Sequence, residues 1–243
     1  MLQNAVPSGA HLALGGMMLY RRPVAACHEL LEMGATGLTV TTLAAGIETE
    51  ILVQGGAVAT LRSCYAGLEY FGPAPKIRRA VERGNLRFMD ETELSLAAGL
   101  LAKTLDLPWM PVRNAIIGTD YLKVRPDFVT LDGADGSSRM LRLPAIAPDV
   151  AIIHVAYADD KGNSIFGGAP AIDRELAFAS SRVVVTADRL VSSDQLQRLG
   201  PFDLQSFQVD ALVEVPGGAR PASCQPHYDY DARAILKYVE AEQ

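Results

Sequence analysis

The stretch HLALGGMMLYRRPVA, residues 11–25, sets the architecture. His11–Leu14 is a short apolar run of strand type, and from Pro23 to Met33 the residues Val24, Cys27, Leu30 and Leu31 recur on one helical face. Gly15 and Gly16 stand at the junction, so the stretch reads strand, turn, helix. Glycine there permits positive φ and leaves no Cβ between the backbone and a ligand, while the first amides of the following helix are unpaired donors. Such a turn either holds an anion or oxyanion or simply makes a tight βα connection. On these residues alone both readings stand.

Beyond this stretch the same rhythm repeats. Strands are expected at Leu38–Thr42, Ala57–Ser63 and Leu86–Met89, and helices at Glu48–Gln54, Ala74–Arg83 and Glu91–Leu105, the last with Leu94, Ala98, Leu101 and Leu105 on one face. From Trp109 to Leu143 the pattern breaks into the turn-rich segments PWMPVR, NAIIGTD and DGADGSSR. Long irregular segments in compact domains are commonly functional, so this one reads as an excursion over the active edge of the sheet. The strand AIIHV, the turn ADDKGNS, a helix at Asp173–Ser181, the strand RVVVTAD, a helix near Ser193–Arg198 and a strand at Ala211–Val215 follow. The alternation predicts an α/β fold with an open, mainly parallel sheet and flanking helices. No repeat or low-complexity linker divides residues 1–243, which read as one domain, with 226–243 as a candidate interface arm.

Composition narrows the function. The 22 Lys and Arg against 28 Asp and Glu leave a net charge of −6 with the cations scattered, which excludes a nucleic-acid-binding surface. Cys27, Cys64 and Cys224 have no ligand spacing and suit reduced thiols, so neither a metal site nor a disulfide framework is expected. No apolar run reaches the roughly 20 residues of a membrane helix, and no signal-peptide pattern opens the chain. A cytoplasmic, non-membrane protein is expected.

Taken in order, ALGGMMLYRRPVA, LVQGGAV, SCYAGLEYFGPAPKIRRAVERG, LDLPWMPVRNAIIGTD, PDVAIIHVAYADDKGN and VVVTAD resemble the α subunit of family I CoA-transferases, of which glutaconate CoA-transferase is the nearest kind. The resemblance runs through almost the whole chain. It implies the CoA-transferase / NagB-like fold, a CoA thioester as substrate with no permanently bound cofactor, and a homologous β subunit in an α2β2 or larger hetero-oligomer. It also implies that the catalytic glutamate lies on that β subunit, in a Ser-Glu-Asn-Gly-like stretch that this sequence lacks. Gly15, Gly16 and Met17 then become a turn for the oxyanion or the CoA ester, with Met17 standing where the family commonly has an aromatic residue.

The chain's own acids are weighed one by one. Glu69 lies in a glycine-flanked turn after a strand, where open sheets place ligand-binding groups. Glu91 and Glu93 open a helix, where acids are also favoured by the macrodipole alone. Arg21 and Arg22 are candidates to pair with an acyl carboxylate or a CoA phosphate, against a plain salt bridge. Gly118, Thr119 and Asp120 offer amides and a hydroxyl to the substrate, and Asp159, Gly162 and Asn163 form a strand-exit turn suited to the site or to an intersubunit contact. His154, alone in an apolar strand, is expected to be structural. Alternatives to transfer are a CoA-ester hydrolase that opens a carbon ring and a non-catalytic CoA-ester-binding protein.

Overall fold

The computed structural model describes residues 6–113, 116–133 and 139–241. Strand β1 (His11–Leu14) leads through the glycine turn into α1 (Val24–Glu32), and β2 (Leu38–Thr41) with the short β3 (Ala44–Ala45) leads into α2 (Ile47–Gln54). Then β4 (Val58–Ser63) and β5 (Tyr65–Ala66) precede α3 (Pro75–Glu82), which opens with proline at its first position, where no amide is needed. After β6 (Arg87–Asp90) comes α4 (Glu93–Thr104), capped reciprocally: the Ser95 amide donates to Thr92 Oγ1 at 3.0 Å and the Thr92 amide to Ser95 Oγ at 2.8 Å.

The segment after α4 departs from expectation. It holds β7 (Trp109–Val112), a single helical turn α5 (Tyr121–Val124), β8 (Val129–Asp132) and β9 (Arg139–Pro144), which pair as an antiparallel sheet in the order β7-β9-β8. These strands are mostly solvated, so their alternation is too weakly apolar to read, and Pro111 reads as a turn residue. Positions 114–115 of NAIIGTD and 134–138 of DGADGSSR lie outside the described residues. The chain resumes with β10 (Val150–Ala158), β11 (Ser164–Ile165), α6 (Asp173–Ala179), β12 (Arg182–Leu190), α7 (Ser193–Leu199), β13 (Ala211–Glu214) and α8 (Ala232–Glu240).

The main sheet runs β13-β12-β10-β1-β2-β4-β6, every neighbouring pair parallel, with β11 antiparallel against β10. Helices cover both faces, as a parallel sheet requires. Leu12, Leu14, Val40, Leu61 and Ile152 pack with Cys27, Leu30, Leu52 and Ile77 of α1–α3; Ala13, Ile153, Val155 and Val185 pack with Leu96, Leu100 and Leu176 of α4 and α6. Truncating any of these fully buried leucines to alanine costs about 2–5 kcal/mol. The described part of the 226–243 tail docks on its own chain: Ile235 is buried beside Leu19, Ile47 and Leu68, and the Tyr238 hydroxyl donates to Glu50 at 2.8 Å. No helix among the described residues is long and apolar enough to cross a membrane.

Candidate active site

From β1 the chain builds the sheet one way, through β2, β4 and β6, and from β10 it builds the other way, through β12 and β13. The carboxyl ends of β1 and β10 therefore mark the switch point, where open α/β sheets form their ligand crevice. Gly15, Gly16 and Met17 leave β1 there. Gly16 has φ +76°, and a Cβ on it would stand 2.4 Å from the Tyr20 carbonyl oxygen, so the position demands glycine. The amides, however, are not open donors. Gly15 donates to the Ile152 carbonyl at 3.0 Å, Gly16 to Asp173 Oδ1 at 2.8 Å and Met17 to the Tyr20 carbonyl at 3.0 Å. This corrects the expectation of a free oxyanion-binding trio: a buried amide must find a partner, and here each finds one inside the protein.

Arg21 and Arg22 are corrected in the same sense. Arg21 donates to Asp173 Oδ2 at 2.8 Å, to the His154 carbonyl at 3.2 Å and to the Ala169 carbonyl, and lies over the Phe166 ring. Arg22 pairs with Glu48 and donates to Thr42 Oγ1 at 2.9 Å. Both guanidinium groups are buried, and a buried charge without a counter-charge would be far costlier than these pairs. Asp173 and Glu48 were not legible as partners, because they lie 152 and 26 residues away in sequence. Three residues other than glycine carry positive φ around this turn and the neighbouring one: Met18 (52°), Arg21 (51°) and Glu69 (53°). Such backbone persists only where its surroundings over-determine it.

The three glutamates meet different fates. Glu69 is half-buried at the edge; burial raises its carboxyl pKa, opposed by a hydrogen bond from Tyr20. Glu91 is buried between two arginines, with Arg62 Nη2 at 2.7 Å and Arg125 Nη1 at 2.8 Å, and also accepts the Ser95 hydroxyl. Glu93 is exposed near Cys64, whose thiol is raised first by burial and then by the Glu93 charge. Asp159 is closed on itself, accepting from the Lys161 and Asn163 amides, Asn163 Nδ2 and Ser193 Oγ. Burial works to raise its pKa, but the bonds from Asn163 and Ser193 outweigh that and hold it low. Gly162, at φ +98°, completes this turn, and Asn163 also accepts the Ser206 amide. Thr119 bonds the Ile116 carbonyl and Asp120 pairs with Lys123, both exposed, while Gly118 has φ +85°; these described contacts are local and do not reach the glycine turn.

His154 is a buried strut, its Nδ1 at 2.9 Å from Thr186 Oγ1 and its Nε2 at 2.9 Å from Asp188 Oδ2. Asp188 also takes the Tyr228 hydroxyl at 2.6 Å and the Gly217 amide at 2.8 Å. Cys224 completes a cluster whose ligand atoms lie within 4.8 Å of one another, but a cation could enter only by breaking these bonds. Beside the glycine turn a cavity of about 370 Å³ opens, with Met17, Tyr20, Arg21, Gly168, Ala169 and Ser223 in its wall.

Residues 1–200 match the family model described as Coenzyme A transferase. The α-type chain of glutaconate CoA-transferase from Acidaminococcus fermentans is 31% identical over 96% of this chain and 78% of its own length. The crystal structure of that enzyme matches with a TM-score of 0.90 at 28% identity, covering 99% of this chain and 81% of the other. A crystal structure of the decarboxylase AibA/AibB matches with a TM-score of 0.89 at 31% identity, covering 98% and 89%. The cholesterol ring-cleaving hydrolase IpdA subunit of Rhodococcus jostii is 27% identical over 96% of this chain and 82% of its own. An uncharacterized protein of Archaeoglobus fulgidus is 32% identical over 98% of this chain, which spans about half (54%) of that relative's length. Sequence and architecture agree from one end of the chain to nearly the other, and on that agreement the chain belongs to the coenzyme A transferase family.

Proposed function

We propose that this chain is the α-type subunit of a two-subunit CoA-transferase, which moves CoA between carboxylic acids, and that a homologous β subunit brings the nucleophile. One observation carries the second half of this reading: the buried acids at the carboxyl edge are already neutralised by arginines, Glu91 by Arg62 and Arg125, Asp173 by Arg21 and Glu48 by Arg22. A nucleophilic carboxylate needs an uncommitted lone pair in a near-attack position. Glu69 and Glu93 stand at the edge without arginine partners among the described contacts, yet their exposure offers no shelter from water, and hydrolysis would waste the thioester.

In this reading the partner's glutamate attacks the thioester carbonyl, CoA leaves as thiolate, and an acyl-glutamyl anhydride forms. The thiolate then attacks the glutamyl carbonyl, giving a glutamyl-CoA thioester and releasing the first acid; the acceptor acid reverses the sequence. The CoA ester is substrate and not a resident group. This chain contributes the switch-point crevice and its wall, with Gly16 and Asp173 holding the turn in shape and excluding water. Three cysteines without a disulfide suit a reducing cytoplasm.

The test is trapping in the assembled complex. Hydroxylamine or borohydride should inactivate it only after exposure to an acyl-CoA, with ping-pong kinetics and with the modified glutamate on the β subunit. Turnover without an acceptor acid, with solvent oxygen entering the released carboxylate and no adduct, would replace transfer by CoA-ester hydrolysis. Binding of CoA esters without any turnover would leave a binding protein.

A further inference from the structure

The cavity at the switch point points to a substrate class. We infer that the acyl group this enzyme accepts is uncharged beyond its thioester carbonyl, a mono-carboxylic and not a dicarboxylic acyl chain; the inference rests on the CoA-transferase reading. The cavity of about 370 Å³ adjoins the turn that leaves β1, at the carboxyl end of the sheet. The other large hollows lie elsewhere: one by Val58 and Leu86 at the amino ends of β4 and β6, one between α1, α2 and α8, and one against Val184 and Val213 on a sheet face. Only the switch-point cavity therefore stands, among these, where the thioester of a doubly wound fold belongs.

Its wall decides what fits. Met17, Gly168 and Ala169 are apolar, and Arg21 supplies the cation. A distal carboxylate would need that guanidinium, and it is already committed: Nη1 donates to Asp173 and the His154 carbonyl, Nη2 to the Ala169 carbonyl, and Nε is buried without a partner and out of reach. Asp173 is wholly buried, so the pair cannot be opened by a ligand from the cavity side without exposing a second charge. Across the mouth, Tyr20 carries its hydroxyl on the Glu69 carboxylate, which adds negative charge where a dianion would have to enter. A carboxylate placed here would lose its hydration and gain no counter-charge, whereas a methyl group would lose nothing. Glutaconate, named for the Acidaminococcus relative, is a dicarboxylate, so the inference separates this chain from that relative.

The experiment compares donors of matched length in the complex reconstituted with its β subunit: pentanoyl-CoA against glutaryl-CoA and hexanoyl-CoA against adipyl-CoA, with acetate as acceptor. The expected result is kcat/KM higher by about 10²-fold for the methyl-ended member of each pair, the scale on which a pocket rejects a group it cannot satisfy. Equal or better use of glutaryl-CoA overturns the inference and leaves transfer intact. Absence of transfer from all four donors, with acceptor-independent hydrolysis, overturns the transferase reading itself. Met17→Lys, which sets a cation in the wall, should shift the ratio within each pair by tenfold or more toward the dicarboxylic donor. An unchanged ratio in a folded variant with wild-type rates means that the acyl chain does not lie in this cavity, and the inference falls.

Discussion

At Gly16 the requirement is conformational before it is chemical. Its φ of +76° costs a residue with a side chain about 1–2 kcal/mol. A Cβ would also press on the Tyr20 and Arg21 carbonyl oxygens at 2.4 and 2.5 Å. Gly16→Ala should therefore lower stability by about 3 kcal/mol and the melting temperature by about 10 °C. A variant that melts like wild type but has lost turnover would return the turn to catalysis. His11 makes a second prediction. Burial, then the Arg62 charge, hold its pKa down at about 4, against 6.5 in the unfolded chain. Asp149 opposes this weakly, and Nε2 stays paired with Thr41 Oγ1 at 2.7 Å. Because the folded state resists protonation, its contribution is complete above pH 6.5 and is lost as the pH falls toward 4, by up to about 3 kcal/mol. Denaturant titrations of wild type and His11→Asn should diverge in that window, and parallel curves would contradict the assignment. Single residues in the sequence show which are polar and near a turn, but not their partners. Glycine-turn amides look available until Asp173 is found, 157 residues later, with its carboxylate on Gly16.

Among the elements, the excursion between α4 and β10 is clasped to the sheet by charge. Arg125, from the end of α5, reaches Glu91 after β6, the Asp90 carbonyl, and Asp127, and lies 3.9 Å from the Phe128 ring centroid. Glu91→Ala leaves Arg62 and Arg125 buried without their carboxylate, a loss of about 3–5 kcal/mol. Hydrogen exchange should then accelerate in residues 109–112 and 121–132 first, ahead of β10 and β12. Uniform acceleration across the chain would show that the clasp serves the whole fold. The βα units were legible because their periodicity is strong: β1 is found at His11–Leu14 as expected, and α2, α3, α6 and α7 fall within one or two residues of their expected limits. The antiparallel sheet was not, since half-solvated four-residue strands broken by proline leave little pattern to read. The tail helix α8 was legible as a helix, but its docking site on Glu50 and Ile47 lies in a distant part of the chain.

For the molecule as a whole, the neutralised edge acids make the chain catalytically dependent: alone it should bind CoA esters without transferring them, and turnover comparable with the complex would locate the nucleophile here. The parallel sheet also has a bearing on synthesis. Its central strand, β1, is made first and meets β2 almost at once, yet its other neighbour is contributed by Val150–Ile152, and the His11 amide bonds a carboxylate 138 residues downstream. At ribosomal speeds that interval lasts roughly 7 to 30 s. Throughout it, the strand destined for the middle of the protein is an unpaired edge, apolar on both faces, on a half-built sheet of β1, β2, β4 and β6. Edges of that kind recruit other strands, so the nascent chain is most vulnerable to misassociation before β10 emerges, and the rescue it requires is a holding chaperone and not a faster fold.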